Sequence, residues 1–146
     1  MIPKNEREQN ESEEDEAMVA DAAAVLFAIL TGIVVLFQLA LAAGMPWGSL
    51  AMGGKFPGTF PPAMRAAAVA QAAVLALLAV VVGSRAGLLL PEWGAFSSSA
   101  VWFVVAFSAV GTVMNLITPS KRERIVWAPV TLLMLISSVL VALGPR

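Results

Sequence analysis

Cysteine, histidine and tyrosine are all missing from the 146 residues. Without cysteine there are no disulfides, no thiol redox chemistry and no thiolate metal ligands; without histidine the commonest metal ligand and the usual proton shuttle are gone. Charge is scarce too. Only 13% of residues are charged, against 59% that are apolar, a balance outside the range of ordinary soluble domains. Acidic residues are nearly absent after position 21. Eight of the ten stand at Glu6, Glu8, Glu11, Glu13, Glu14, Asp15, Glu16 and Asp21, and the remainder of the chain holds only Glu92 and Glu123. The net charge of −1 therefore averages an acidic tail, residues 1–21, and a basic remainder, residues 22–146, with seven bases against two acids.

What the chain does have is four long uncharged runs, at about 22–43, 66–82, 99–117 and 125–143. Each is comparable to the ~20 residues a helix needs to cross ~30 Å of hydrocarbon at ~1.5 Å per residue. The second is short unless Arg65 snorkels to the interface and the helix begins near Ala63. One Lys or Arg at mid-span costs about 2.5–3.5 kcal/mol on insertion scales, so uninterrupted runs separated by charged joints predict an all-α membrane protein. Its expected architecture is a four-helix transmembrane bundle, residues 22–146, with a disordered acidic tail, residues 1–21. Low hydrophobicity and abundant Glu motivate the disorder, with residues 12–24 able to extend helix one on binding or at low pH. A cleavable signal peptide is not expected: its positive leading region is replaced here by acid, although Ala40-Leu41-Ala42 resembles a cleavage site.

The joints carry helix-end chemistry. Ser97, Ser98 and Ser99 are candidate N-caps for helix three. Ser120 with Glu123 reads as a capping box opening helix four near Lys121, and Pro129 inside that helix predicts a kink. Trp47, Trp93 and Trp127 stand at span boundaries, with Trp102 one turn into helix three, as interfacial anchors do. Gln38, Gln71, Asn115 and several Ser and Thr residues lie inside spans, where they are expected to bond neighbouring helices or their own backbone as packing polar groups. Small alanine faces on helix two suit close helix packing.

Basic residues set the expected orientation. Loops one and three hold Lys55, Arg65, Lys121, Arg122 and Arg124, while the other side holds Arg85 and Arg146 near the spans. The bias places loops one and three in the cytoplasm and both termini outside, in a bacterial plasma (inner) membrane. These five bases, together with Trp47 and Trp127, form a candidate patch for anionic lipid or an acidic partner segment. The loop between helices one and two is crowded with glycine and proline, from Gly44 to Pro62, and is expected to be a shaped turn on the membrane surface.

Pro46-Trp47-Gly48, Gly53-Gly54, Pro61 or Pro62 with Arg65, Asn115, the run Ser120-Lys121-Arg122-Glu123-Arg124 and Pro129 carry a resemblance over about residues 22–143. The chain resembles a family of small bacterial four-span integral membrane proteins that is itself uncharacterised. Thr118-Pro119-Ser120 fits that family's pair of hydroxyl residues apart from the proline, and Lys55 stands where another polar residue is expected. The resemblance implies the four-span fold and no activity, substrate or catalytic residue.

Function is narrowed by what each class requires. Intramembrane proteases need paired aspartates or a Ser with a base, and no span contains Asp, Glu, His or Lys. A proton-coupled exporter of this size needs an intramembrane carboxylate. The Gly-rich loop lacks the Gly-Lys-Ser/Thr ending of a phosphate loop. No enzyme, cofactor, metal or nucleic-acid partner is expected. An accessory or assembly protein is the leading expectation, working with a membrane protein partner or as a homo-oligomer. A passive transporter or lipid-handling protein is the alternative, with Gln38, Gln71 and Asn115 as the lining of a facilitative path.

Overall fold

Four apolar helices dominate the computed structural model, which describes residues 3–145: α1 (Lys4–Ala43), α2 (Pro62–Arg85), α3 (Gly94–Ile117) and α4 (Lys121–Leu143), with no strand among the described residues. All four are long and apolar enough to cross a membrane. Helix α1 packs between α2 and α4, and α3 packs on α4; the α2–α3 contact that closes the ring is sparser. The core is built from Phe27 and Leu30 of α1, Leu75, Leu78 and Val82 of α2, Val101 and Val104 of α3, and Met134 and Val141 of α4. A smaller cluster of Leu41, Phe60 and Ala68 lies towards loop one.

The outer surface is as apolar as the core. Leu36, Phe103, Val110, Ile117 and Ile125 are each more than 60% exposed. Soluble monomers rarely show contiguous apolar surface on that scale, whereas in a bilayer the same faces meet acyl chains at no cost.

The first correction concerns the tail. Residues from Lys4 onward are helical and continuous with the first span, and α1 is 40 residues long, about 60 Å at the usual rise. Compositional disorder arguments rest on a segment's failure to bury apolar surface, but this segment grows from a helix already nucleated by the span, so each added residue faces only the propagation step. Glu, Gln, Arg, Ala and Met are also good helix formers. A Lys4–Glu8 ion pair at 3.5 Å spans one turn, and Glu6 in the first turn complements the helix dipole. Every described residue up to Val19 is exposed, and burial begins at Ala20.

The second correction is the start of α3, which begins at Gly94. Ser97 and Ser98 lie inside the first turn and donate back to the Gly94 carbonyl at 3.1 and 2.6 Å, so the serines are not N-caps. The other boundaries extend the sequence estimates by a few polar or small residues. Helix α2 opens with Pro62 at its first position, where no backbone N–H is missed. Helix α4 runs unbroken through Pro129, and the Thr131 hydroxyl donates to the carbonyls of Trp127 and Ala128 at 2.9 and 3.2 Å.

Helix C-termini leave carbonyls that lipid cannot satisfy, and arginines close three of the four. Arg65 Nε donates to the Ala42 carbonyl of α1 at 2.6 Å. Arg124 Nη2 donates to the Thr118 carbonyl after α3 at 2.6 Å. Arg85, buried at the opposite end, donates through Nη2 to the Ala142 and Gly144 carbonyls of α4 at 3.3 and 2.7 Å. Helix α2 ends instead on Gly87 at φ 77°, with the Gly87 N–H bonding Ser84 and the Leu88 N–H bonding Gly83, the left-handed glycine termination common at helix ends.

Candidate functional site

Loops one and three lie at the same end of the bundle, and loop one is fastened onto the start of α4. The reason begins with Gly48. Its N–H donates to the Gly58 carbonyl at 2.9 Å, and a Cβ there would stand 1.9 Å from the Phe56 carbonyl oxygen, so only glycine lets the loop fold back on itself. Gly53 and Gly54 then take φ of 68° and 72°, left-handed values that glycine adopts without strain, and bring the loop against Pro119 and Ser120.

Three hydrogen-bonded tethers hold it there. Glu123 accepts on one carboxylate oxygen, Oε2, from the Gly53 N–H at 2.7 Å and the Thr118 hydroxyl at 2.9 Å. Ser120 Oγ donates to the Ser49 carbonyl at 3.1 Å. Trp127 Nε1 donates to the Leu50 carbonyl at 2.8 Å. Half of the capping box expected from the sequence is present, since Ser120 Oγ accepts from the Glu123 N–H at 3.3 Å. The other half is diverted: the Glu123 side chain serves loop one, and the Ser120 N–H contacts Thr118 Oγ1 at 3.4 Å instead. A carboxylate taking backbone N–H bonds is a stronger acceptor than a neutral oxygen, and Gly53 offers it an otherwise orphan donor.

The candidate basic and aromatic patch separates into parts with different roles. Trp47 and Trp127 flank Phe37, with ring centroids 6.2 and 4.6 Å from it, and the three rings form one aromatic group beside loop one. Lys55 is exposed, with its ammonium 5.7 Å from the Phe56 ring centroid. Arg65 and Arg124 face helix-terminal carbonyls. Lys121 and Arg122 are exposed on the first turn of α4 and have no hydrogen bond or ion pair among the described residues. The five bases share one end of the bundle, but two of them act as caps.

Above this end, inside the bundle, lies a cavity of about 850 Å³. Loop one covers it through Met52, Gly53 and Lys55, and all four helices contribute to its wall. Ala67 and Gln71 of α2 and Met114 and Ile117 of α3 are the exposed helical members of that wall, which puts its opening between the ring neighbours with the sparsest contact. Gln38, Gln71 and Asn115, from three different helices, all line it. None of the three bridges helices, and Asn115 alone takes the other course expected of packing polar groups, a bond to its own backbone. Asn115 donates to its own helix at Gly111, 2.8 Å, and Gln38 and Gln71 have no hydrogen bond among the described residues, although Gln38 is only 8% exposed. Ser108, another lining residue, is 5% exposed with an unpartnered Oγ.

Sequence reasoning offered Gln38, Gln71 and Asn115 as a common lining only in its alternative reading, and it missed the place of Glu123 in the cavity wall. One signal was legible: Glu123 is the sole acid after Glu92, one turn before an uncharged span. Four helices long and apolar enough to span a membrane, with an apolar exterior, define a multi-pass helical membrane protein. No protein-family model, no curated protein and no solved structure matches this chain.

Proposed function

We propose that this chain is a non-enzymatic lipid-handling protein of the bacterial plasma membrane, which takes an amphipathic molecule sideways from one leaflet into the cavity between α2 and α3. The observation that carries the reading is the cavity wall: amides from three helices converge on it, and its exposed helical members face the surrounding acyl chains. Binding sites are commonly apolar with a few placed polar groups, and polar side chains kept inside a membrane without partners incur a cost that structure alone does not recover. The bias of bases toward loops one and three supports a cytoplasmic location for the cavity end, with both termini outside. Of the two charged lining residues, Lys55 and Glu123, the carboxylate is already engaged by the Gly53 N–H and the Thr118 hydroxyl, which supports a binding role over a catalytic one.

The test uses the full chain with Trp47, Trp93 and Trp102 replaced by Phe, so that only Trp127, on the cavity wall, emits. Lipids with brominated chains should quench it, and Ala67→Leu, which narrows the opening, should relieve the quenching. Quenching of Trp127 no greater than that of a single-tryptophan protein retaining Trp102 on the lipid face, and insensitive to Ala67→Leu, would refute the cavity reading.

A second reading, an accessory or assembly protein acting on a membrane partner or a second copy, is favoured by the exposed acidic stretch of α1 from Glu6 to Asp21. Cross-linking from that stretch in native membranes, compared with a chain lacking residues 4–17, distinguishes it: a defined adduct supports it, and none counts against it.

A further inference from the structure

The lining groups are specific about charge as well as polarity. We infer that the cavity selects an uncharged amphiphile, one whose head carries carbonyl or hydroxyl oxygens and whose tail is an alkyl or isoprenoid chain, in preference to a phospholipid. The inference rests on the lipid-handling reading and names its ligand class. Counting from the loop-side ends of their helices at ~1.5 Å per residue, Gln38 lies about 7 Å and Gln71 and Ser108 about 13 Å along the helix axes. The cavity thus offers two amides with no hydrogen bond among the described residues, that of Gln38 more than nine-tenths buried. Lys55 and Glu123 are the charged residues on the wall, and both stand at its loop end.

A phosphate drawn to the level of Gln71 and Ser108 would lose its water with no cation there to replace it, and an unpaired charge in hydrocarbon is strongly disfavoured. A carbonyl or hydroxyl faces no such penalty. It accepts from the amide N–H groups, and a hydroxyl donates to the amide oxygens, so the orphan amides and the head satisfy each other. Phe37, Phe107 and Trp127 give the same region flat apolar walls suited to a ring or a chain. The gap between α2 and α3 leaves the tail in the leaflet.

Native mass spectrometry of the full chain from mild detergent tests the inference, with three probes offered at matched concentration: a short-chain benzoquinone, monoolein and phosphatidylglycerol. One equivalent of quinone or monoolein should bind, and which of the two binds more tightly tells the ring-headed source from the glyceride. Gln38→Leu and Gln71→Leu should each weaken binding about 3- to 10-fold, as expected for loss of one hydrogen bond. Gln71 is exposed, so its variant should fold, and its unchanged melting temperature separates lost binding from lost structure. Phosphatidylglycerol binding as tightly, with the same dependence on Gln38 and Gln71, would overturn the preference for a neutral head while leaving the lipid-handling reading standing. Failure of all three probes would overturn both. Neutral binding indifferent to both glutamines would place the probe on the outer surface and overturn the inference.

Discussion

Replacing Glu123 should release loop one from α4. In the native chain one carboxylate oxygen holds the Gly53 N–H at 2.7 Å and the Thr118 hydroxyl at 2.9 Å. Hydrogen bonds to a charged acceptor contribute about 1.5–3 kcal/mol each, and neutral ones about 0.5–1.5. Glu123 is half-buried, so the lower end applies, and water can partly resolvate the freed Gly53 N–H. Glu123→Ala should therefore cost about 2–3 kcal/mol, and Glu123→Gln, which keeps an oxygen but loses the charge, about half of that. For a chain of this size each kcal/mol lowers the melting temperature by roughly 2–4 °C, so the alanine variant should melt about 4–12 °C lower in detergent. Amide exchange adds the location: residues 48–58 should exchange faster in both variants, while the α1–α2 contact around Phe27 and Leu78 should not change. Equal melting of all three proteins with unchanged exchange at Gly53 would refute the tether, and uniform acceleration throughout the bundle would show that Glu123 supports the helices rather than the loop.

Gly48→Ala should be more damaging than its size suggests, because the added methyl would meet the Phe56 and Gly58 carbonyls at 1.9 and 2.7 Å; overpacking of this kind costs about 1–3 kcal/mol, readable as a lower melting temperature together with faster proteolysis of loop one. Arg65→Met keeps the apolar stem but leaves the Ala42 carbonyl without its donor, so it should destabilise by about 1–3 kcal/mol, with Arg65→Lys recovering part of the loss in the same melting assay; a fully stable Met variant would show that the carbonyl is satisfied otherwise. Deleting residues 1–17 should leave the melting temperature within about 2 °C, since residues 3–17 are exposed throughout and exposed ion pairs contribute little; a large drop would show that the acidic helix packs elsewhere. Reporter fusions at Lys55 and Lys121 should read cytoplasmic and fusions at Arg85 external, and the reverse pattern would overturn the orientation.

Four spans were legible in the sequence because hydrocarbon imposes a local rule: a run of about 20 residues without charge is a helix whatever surrounds it. The start of α4 was legible for a similar reason, since Ser120 and Glu123 act over a single turn. Other features were not local. Disorder in residues 1–21 was inferred from composition, yet whether that segment is helical depends on the span it continues, which supplies the nucleus. The serines at 97–99 look like caps in sequence, but the turn from Pro91 to Trp93 starts the helix earlier. Arginines read as topology markers proved to be helix caps, which depends on which carbonyl ends the neighbouring helix. Gln38, Gln71 and Asn115 were each visible as polar residues in apolar runs. Their meeting in one cavity was set by the helix rotations and the loose α2–α3 contact. Composition and the spacing of charges alone thus determined that the chain has four helices fit to cross a membrane, because burial in lipid is decided segment by segment. Only the tertiary structure decided which polar groups find partners and which are left facing a cavity, because a hydrogen bond across helices depends on angstrom-scale placement that no single segment encodes.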